Sequence, residues 1–236
     1  IFAIFLISSC SKNEQSYKNI ETYESPESLY RLAMIDLDEK RYDEAMKKFK
    51  DVDFKFPLSN EAVQSQIMMA FIEYINMNYD EAIFKFNRII SRYPSHKNID
   101  YAYFMKAMCY FEQIENEALD GNNNIKALEN FNQIINRFPN SKYAKDSEQK
   151  IIFIKENIAA KHMDIAYFYL TQKKYPAAMK RYQIVITDYS QTKFTPEALY
   201  RLVEIYFTLG MLQEAKKTTA VIGHNYPNSK WYEYSY

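Results

Sequence analysis

The chain has 236 residues and a formal net charge of zero, with no dominant basic or acidic block. That argues against nucleic acid as a partner, because such binding depends on clustered Lys and Arg. Three glycines in the whole chain can hardly build a phosphate loop and fit a mostly helical protein, while 22 Tyr and 16 Phe supply many rings for packing and for grooves.

In chain order, the first stretch is Ile1-Phe2-Ala3-Ile4-Phe5-Leu6-Ile7-Ser8-Ser9-Cys10. This apolar run is too short to span a bilayer, which takes about 20 apolar residues. It reads as the end of an export signal over 1–9. Leu6 to Cys10 resembles a bacterial lipoprotein signal, in which the cysteine becomes the first mature residue and is acylated. The resemblance makes Cys10 a lipid anchor, stable when two or more chains are attached. Ser11 behind it, rather than Asp, favours the outer membrane. The alternative is a non-lipidated signal remnant with Cys10 as an ordinary thiol. Residues 10–24 are then the lipidated cysteine and a polar tether. Cys109 lies in the apolar run 101–111 and is expected as a buried small hydrophobe.

Ser25-Pro26-Glu27 is a helix start, with a capping serine and a proline at the first helical position. From here one frame is printed five times. Ala45, Ala82, Ala127, Ala178 and Ala215 are each followed four residues later by Phe49, Phe86, Phe131, Tyr182 and Thr219. Twelve residues after the alanines stand Pro57, Pro94, Pro139, Ser190 and Pro227. An alanine and a ring four residues apart share a helix face, and the proline disfavours helical geometry just before it. This describes the second helix of a pair. The first helices carry their own small position at Ala33, Ala70, Ala107, Ala166 and Val203, and Leu29, Leu32, Leu199 and Leu202 are expected at matching positions on the helix face.

The spacing resembles the tetratricopeptide repeat (TPR), a helix–turn–helix unit of about 34 residues. The expected fold is all-α, a solenoid of five helix pairs and about ten helices, elongated rather than globular. Two parts are expected: 25–140, with units one to three and an insertion at 115–124, and 141–236, with a linking element and units four and five. Residues 140–172 have enough helical pattern for one long helix or two short ones. The terminal polar helix that usually caps a solenoid is not visible in the sequence.

No catalytic constellation appears. His96, His162 and His224 have no metal-ligand spacing to Cys or to one another. Pairs such as Asp43-Glu44 and Asp80-Glu81 sit at helix starts, where they favour the macrodipole. The expectation is a non-enzymatic chain with no metal and no cofactor.

In TPR arrays the first helix of each pair lines the concave face. With the small positions as register, the expected groove residues are Tyr30 and Met34, Ile67, Phe71 and Tyr74, then Tyr101, Phe104, Met108 and Phe111, and further along Met163 and Tyr167. TPR grooves that clamp a carboxylate use Lys and Arg. This one reads as aromatic and Met-rich, suited to extended peptides with apolar side chains. A one-residue register error would turn the same residues into plain inter-helix core.

His96-x-Asn98-Ile99-Asp100-Tyr101 and Phe138-Pro139-Asn140-Ser141-x-Tyr143, together with the lipoprotein cysteine and the repeats, are similar to the BamD family of the outer-membrane β-barrel assembly (BAM) machine. So is the run through Phe153-x-Lys155 and Ala166-x-x-Tyr169. The resemblance implies that the amino-terminal repeats receive the carboxy-terminal signal of unfolded outer-membrane proteins, which ends in an aromatic residue. It implies that the carboxy-terminal repeats dock the periplasmic domains of BamA, with Tyr200, Glu204, Tyr206 and Phe207 as the docking residues, and that other BAM lipoproteins bind too. It implies membrane contact through the lipid anchor alone, at the periplasmic face of the outer membrane, and no nucleic acid. The runner-up is another periplasmic TPR lipoprotein scaffold for pilus assembly or envelope division.

Overall fold

In the computed structural model the described residues, 25–114 and 122–235, contain eleven α-helices and no strand. They are α1 (Pro26–Asp38), α2 (Tyr42–Lys55), α3 (Asn60–Ile75), α4 (Tyr79–Arg92), α5 (Ile99–Glu112), α6 (Asn122–Arg137), α7 (Lys142–Thr171), α8 (Tyr175–Asp188), α9 (Thr195–Thr208), α10 (Leu212–Asn225) and α11 (Lys230–Tyr234). The first ten form the five expected pairs. Each packs on its neighbours in sequence, and α1, α3, α5 and α7 also touch one after the next.

The repeated frame is what packs. Ala45, Ala82, Ala127 and Ala178 are fully buried, and so are Phe49, Phe86 and Phe131, with Tyr182 almost so. A small residue lets the neighbouring helix approach, and the ring four residues on fills the space beside it. Ala33, Ala70, Ala107 and Ala166 do the same for the first helices. Leu29, Leu199 and Leu202 are buried as expected, but Leu32 is exposed. Its counterpart Leu202 packs in the cluster that α7 and α8 also build, whereas among the described residues no helix precedes α1.

The turns repeat as well. Lys40, Met77, Lys173 and Gly210 follow the first helices with φ of 61°, 59°, 56° and 73°. The next residue then donates its N–H back to the helix, Arg41 to Asp36 O at 2.8 Å and Met211 to Tyr206 O at 2.8 Å. This left-handed closure satisfies carbonyls that a helix end leaves without partners. At the other end of each pair the aromatic before the proline donates to the residue four back, as Tyr93 to Ile89 O at 2.8 Å. Tyr189 makes the same bond to Val185 O at 3.2 Å although Ser190 replaces the proline. The turn therefore forms from the backbone pattern without the proline.

The 140–172 stretch contains one long helix, α7, whose 30 residues run about 45 Å. Its first half, through Ile151 and Ile154, joins the core built by α1 to α6. Its second half, through Ala159, Met163 and Ala166, joins a separate core with α8 and α9.

Two expectations are corrected. Asn122, Asn123 and Asn124 belong to α6 rather than to the insertion, because Asn123 Nδ2 donates to Gln113 O at 3.1 Å and ties the start of α6 to the end of α5; 115–121 lies outside the described residues. The chain also has a terminal helix, α11, which starts at a capping serine: Ser229 Oγ accepts the Trp231 N–H at 3.2 Å. At five residues it is too short for a helical period to show in the sequence. Cys109 is fully buried, and burial pushes its thiol up to about 12.

Candidate functional site

The first helices, with Tyr79 of α4 and Phe131 of α6, carry a continuous path of rings. Tyr79 meets Tyr74 edge-on at 5.8 Å, Tyr74 stacks on Phe71 at 6.2 Å, and Phe71 reaches Tyr101 at 6.3 Å. Tyr101 contacts Tyr143 at 5.4 Å, and Tyr143 stacks on Phe104 at 5.0 Å. Phe104 and Phe111 both pack on Phe131 at 6.1 Å, and Phe111 meets Phe153 at 5.6 Å. Separations of this size fall within the favourable range for ring pairs. The path crosses α3, α5 and α7, which the repeat frame places side by side.

Midway along it, at Tyr101 and Tyr143, the path borders a cavity of about 410 Å³. Tyr30, Met34, Met68, Tyr101 and Tyr143 form its apolar wall, and Gln64, Asn98, Lys97, Asp100 and Lys142 its polar edge. Asn98 Nδ2 donates to Gln64 Oε1, which ties the turn before α5 to α3. Burial pushes the Tyr30 hydroxyl up to about 12 and raises that of Tyr101 further. Burial and the Glu112 carboxylate, which accepts the Tyr74 hydroxyl at 3.2 Å, raise Tyr74 as well. All three phenols stay neutral donors at ordinary pH.

The expected groove residues divide into two sets. Tyr30, Met34 and Tyr101 share the cavity wall; Phe71, Tyr74, Met108 and Phe111 are half-buried along the same helices. Ile67 is fully buried and Phe104 is 7% exposed. Those two are inter-helix core, because Ile67 sits in the packed layer of α3 and Phe104 is covered by Tyr143 and Phe131. Met163 is buried in the second core, while Tyr167 is 56% exposed. Tyr143, Lys97 and Lys142 were not among the expected groove residues. Tyr143 stood in a quoted motif, but nothing in the spacing places the start of α7 against α5.

A second cavity, of about 640 Å³, lies between α9, α10 and α11. It opens where the fifth unit carries Thr219 in place of a ring. Val203, Phe207, Leu212, Ala220 and Tyr232 are among its lining residues. Of the expected docking residues, Phe207 is 70% exposed on this lining. Tyr200 lies against Trp231 at 5.3 Å and Tyr234 at 6.1 Å, so α11 partly covers it. Glu204 accepts from Arg201 at 2.9 Å, and Tyr206 packs between the two carboxy-terminal cores. The structure gathers Tyr200 and Phe207 around α11 and turns Tyr206 inward. Among the described residues no helix is long and apolar enough to cross a membrane.

A family model described as outer membrane lipoprotein, YfiO, matches residues 22–222. The chain is 40% identical over 209 residues to the outer membrane protein assembly factor BamD of Rickettsia prowazekii, across 89% of this chain and 83% of that protein. The chain belongs to the BamD family. It is 38% identical to the BamD of Caulobacter vibrioides (89% of this chain, 69% of that protein) and 28% identical to that of Neisseria meningitidis serogroup A (87% and 80%). A member of this family is an assembly factor and not an enzyme, in keeping with the catalytic constellation that the sequence lacks. The matched span takes in the ring path and α9, and ends before α11.

Proposed function

We propose that the chain is an adaptor for the insertion of β-barrel proteins, held by acylated Cys10 at the periplasmic face of the outer membrane. Cys10 lies outside the described residues; its sequence context and the family's description as a lipoprotein support the anchor. The amino-terminal helices bind the carboxy-terminal segment of an unfolded outer-membrane protein, and the carboxy-terminal repeats dock the periplasmic domains of BamA. Other BAM lipoproteins bind alongside. The amino-terminal units, to which the first half of α7 contributes Tyr143, and the carboxy-terminal units divide these tasks. Folding of the barrel supplies the free energy, so the adaptor needs no cofactor.

The observation that carries this reading is the ring path, half-buried at Phe71, Tyr74, Tyr101 and Phe111, that borders the cavity of Tyr30, Met34 and Tyr101. Rings and thioethers form an adaptable apolar surface, and an extended strand presents alternate side chains to it. Phe207, largely exposed beside the carboxy-terminal cavity, supports an apolar anchor for the second partner, since aromatic residues seated in pockets dominate interfaces.

The test replaces the chromosomal gene with a Met34→Ser/Tyr101→Ser variant. Mature barrel proteins fall and their unfolded precursors accumulate, while the purified variant keeps the helical circular dichroism of the parent. Normal barrel levels with a stably folded variant would reject the substrate role.

A further inference from the structure

Where α7 passes from the first core to the second, it borders a cavity of about 250 Å³. Ile158 packs on the first core, and Ala159, the next residue, belongs to the second. Three helices build the cavity: α6 gives Asn124 and Ile125, α7 gives Ile158, Lys161 and His162, and α8 gives Arg181. Its charge is one-sided, because Lys161 and Arg181 line it and no carboxylate does. Both cations are half-buried, and among the described residues neither makes an ion pair. The nearby acids stay off the lining. Glu156 pairs with Lys193 at 3.5 Å, Asp164 is exposed, and Asp188, which acts on His162 through its charge, accepts from Thr187 Oγ1 at 2.8 Å. Arg181 Nη1 donates to His162 Nδ1 at 3.3 Å, and the His162 ring stacks on Tyr189 at 6.0 Å. Burial, and then the Arg181 charge, lowers the His162 pKa. The neutral ring, with Nδ1 accepting, carries its proton on Nε2 as a further donor. Asn124, 5% exposed, adds an amide.

The cavity is smaller than ordinary ligand sites, about 300–1,000 Å³, and suits a compact group rather than a peptide. Ile125 and Ile158 give it an apolar wall, beside which a charge pair is stronger than in water. Arginine meets an oxyanion with two parallel N–H donors, and lysine adds a point charge. Two cations without an acid between them balance one dianion. We propose that Arg181 and Lys161 bind a dianionic phosphate group in this cavity, which ties α6 and α7 to α8 and stiffens the junction of the two cores. The site stands apart from the adaptor reading, since it needs neither the substrate nor the barrel partner.

The experiment uses the full chain and follows the imidazole signals of His96, His162 and His224 by NMR while inorganic phosphate is added, with sodium chloride at matched ionic strength as the reference. Phosphate moves the His162 signal to saturation and leaves the other two in place, and chloride moves none. The dissociation constant rises about tenfold in Lys161→Gln/Arg181→Gln. It also rises in Lys161→Gln alone, which keeps the Arg181–His162 contact. It is unchanged in Lys180→Gln, an exposed lysine of α8 outside the lining. Vesicles separate the two sources of such a group. Pelleting with phosphatidic acid vesicles beyond that with phosphatidylcholine alone, lost in the double variant, assigns the phosphate to a lipid headgroup. Phosphate binding without that excess assigns it to a soluble ligand. An unmoved His162 signal, or equal shifts at all three histidines, overturns the site. Acetate binding as tightly as phosphate overturns the dianion and points to an acidic side chain of a partner instead.

Discussion

A Cβ placed on Gly223 would lie 2.6 Å from Cε2 of Tyr232. Real Cβ atoms essentially never come that close, so the glycine in α10 is what lets the hydroxyl end of the Tyr232 ring approach it and seat α11. The contact involves the far end of a side chain, which can swing away. Gly223→Ala therefore lifts Tyr232 off α10 and loosens α11, and the alanine gains about 1 kcal/mol of helix propensity. Trp231 is the chain's single tryptophan and sits on Tyr200 at 5.3 Å. Its emission shifts to the red in the variant while the global melting temperature changes little. An unshifted emission would show that α11 does not depend on Gly223.

The inter-helix turns make a prediction of opposite signs at matching places. Met77 adopts φ 59° and Gly210 adopts φ 73°. A residue with a side chain is strained there by roughly 1–2 kcal/mol, and glycine loses part of that gain through its freer unfolded chain. Met77→Gly raises the stability by about 0.5–1 kcal/mol, and Gly210→Ala, with open space around the new Cβ, lowers it by about 1 kcal/mol. Urea unfolding followed by circular dichroism reads both, and equal signs would contradict the shared turn.

Phe84 and Phe86 are two residues apart on α4, the first 61% exposed and the second fully buried. Phe86→Ala costs about 3–5 kcal/mol, transfer and cavity together. Phe84→Ala stays within about 0.5 kcal/mol. The two unfolding midpoints check this, and similar losses would mean that the frame ring is not the packing element.

Asp36 is buried and pairs with Lys48 and Arg41. The hydrogen bond from Lys48, then that from Arg41, holds its carboxyl below the usual carboxylate range. A group lowered by folding contributes its stability above its unfolded pKa, about 3.9, and loses it as pH falls through the folded value. The stability gap between the parent and Asp36→Asn is therefore level from neutral pH down to about 4 and shrinks below it. Denaturation midpoints at neutral and acid pH measure the gap. A gap that widens in acid would be the wrong sign.

Much of the fold was legible because Ala45, Ala82, Ala127 and Ala178 with their rings are one packing unit repeated in register. The turns were less so, since Lys40, Met77 and Lys173 occupy a conformation that usually announces itself as glycine. The site was legible in part. Tyr30, Met34 and Tyr101 follow from the repeat register once the first helices are taken, as the resemblance to TPR arrays implies, to line the concave face. Ile67 and Phe104 have the same periodicity but fall where two helices close over them, and a helix flanked on two sides has no single apolar face to read. Tyr143, Lys97 and Lys142 reach the cavity from the starts of later helices, through contacts about 40 to 110 residues apart in sequence that only the stacking of units creates.

The central claim is that the amino-terminal ring path holds the substrate and the carboxy-terminal cavity holds the barrel partner. Site-specific photocrosslinking in cells, with probes at Tyr30, Tyr74 and Tyr101 on one side and at Phe207 on the other, tests it most directly. Capture of unfolded outer-membrane proteins at the first three positions and of BamA at Phe207 is the predicted result. Capture of BamA along the ring path, or of no barrel precursor at any position, would contradict it.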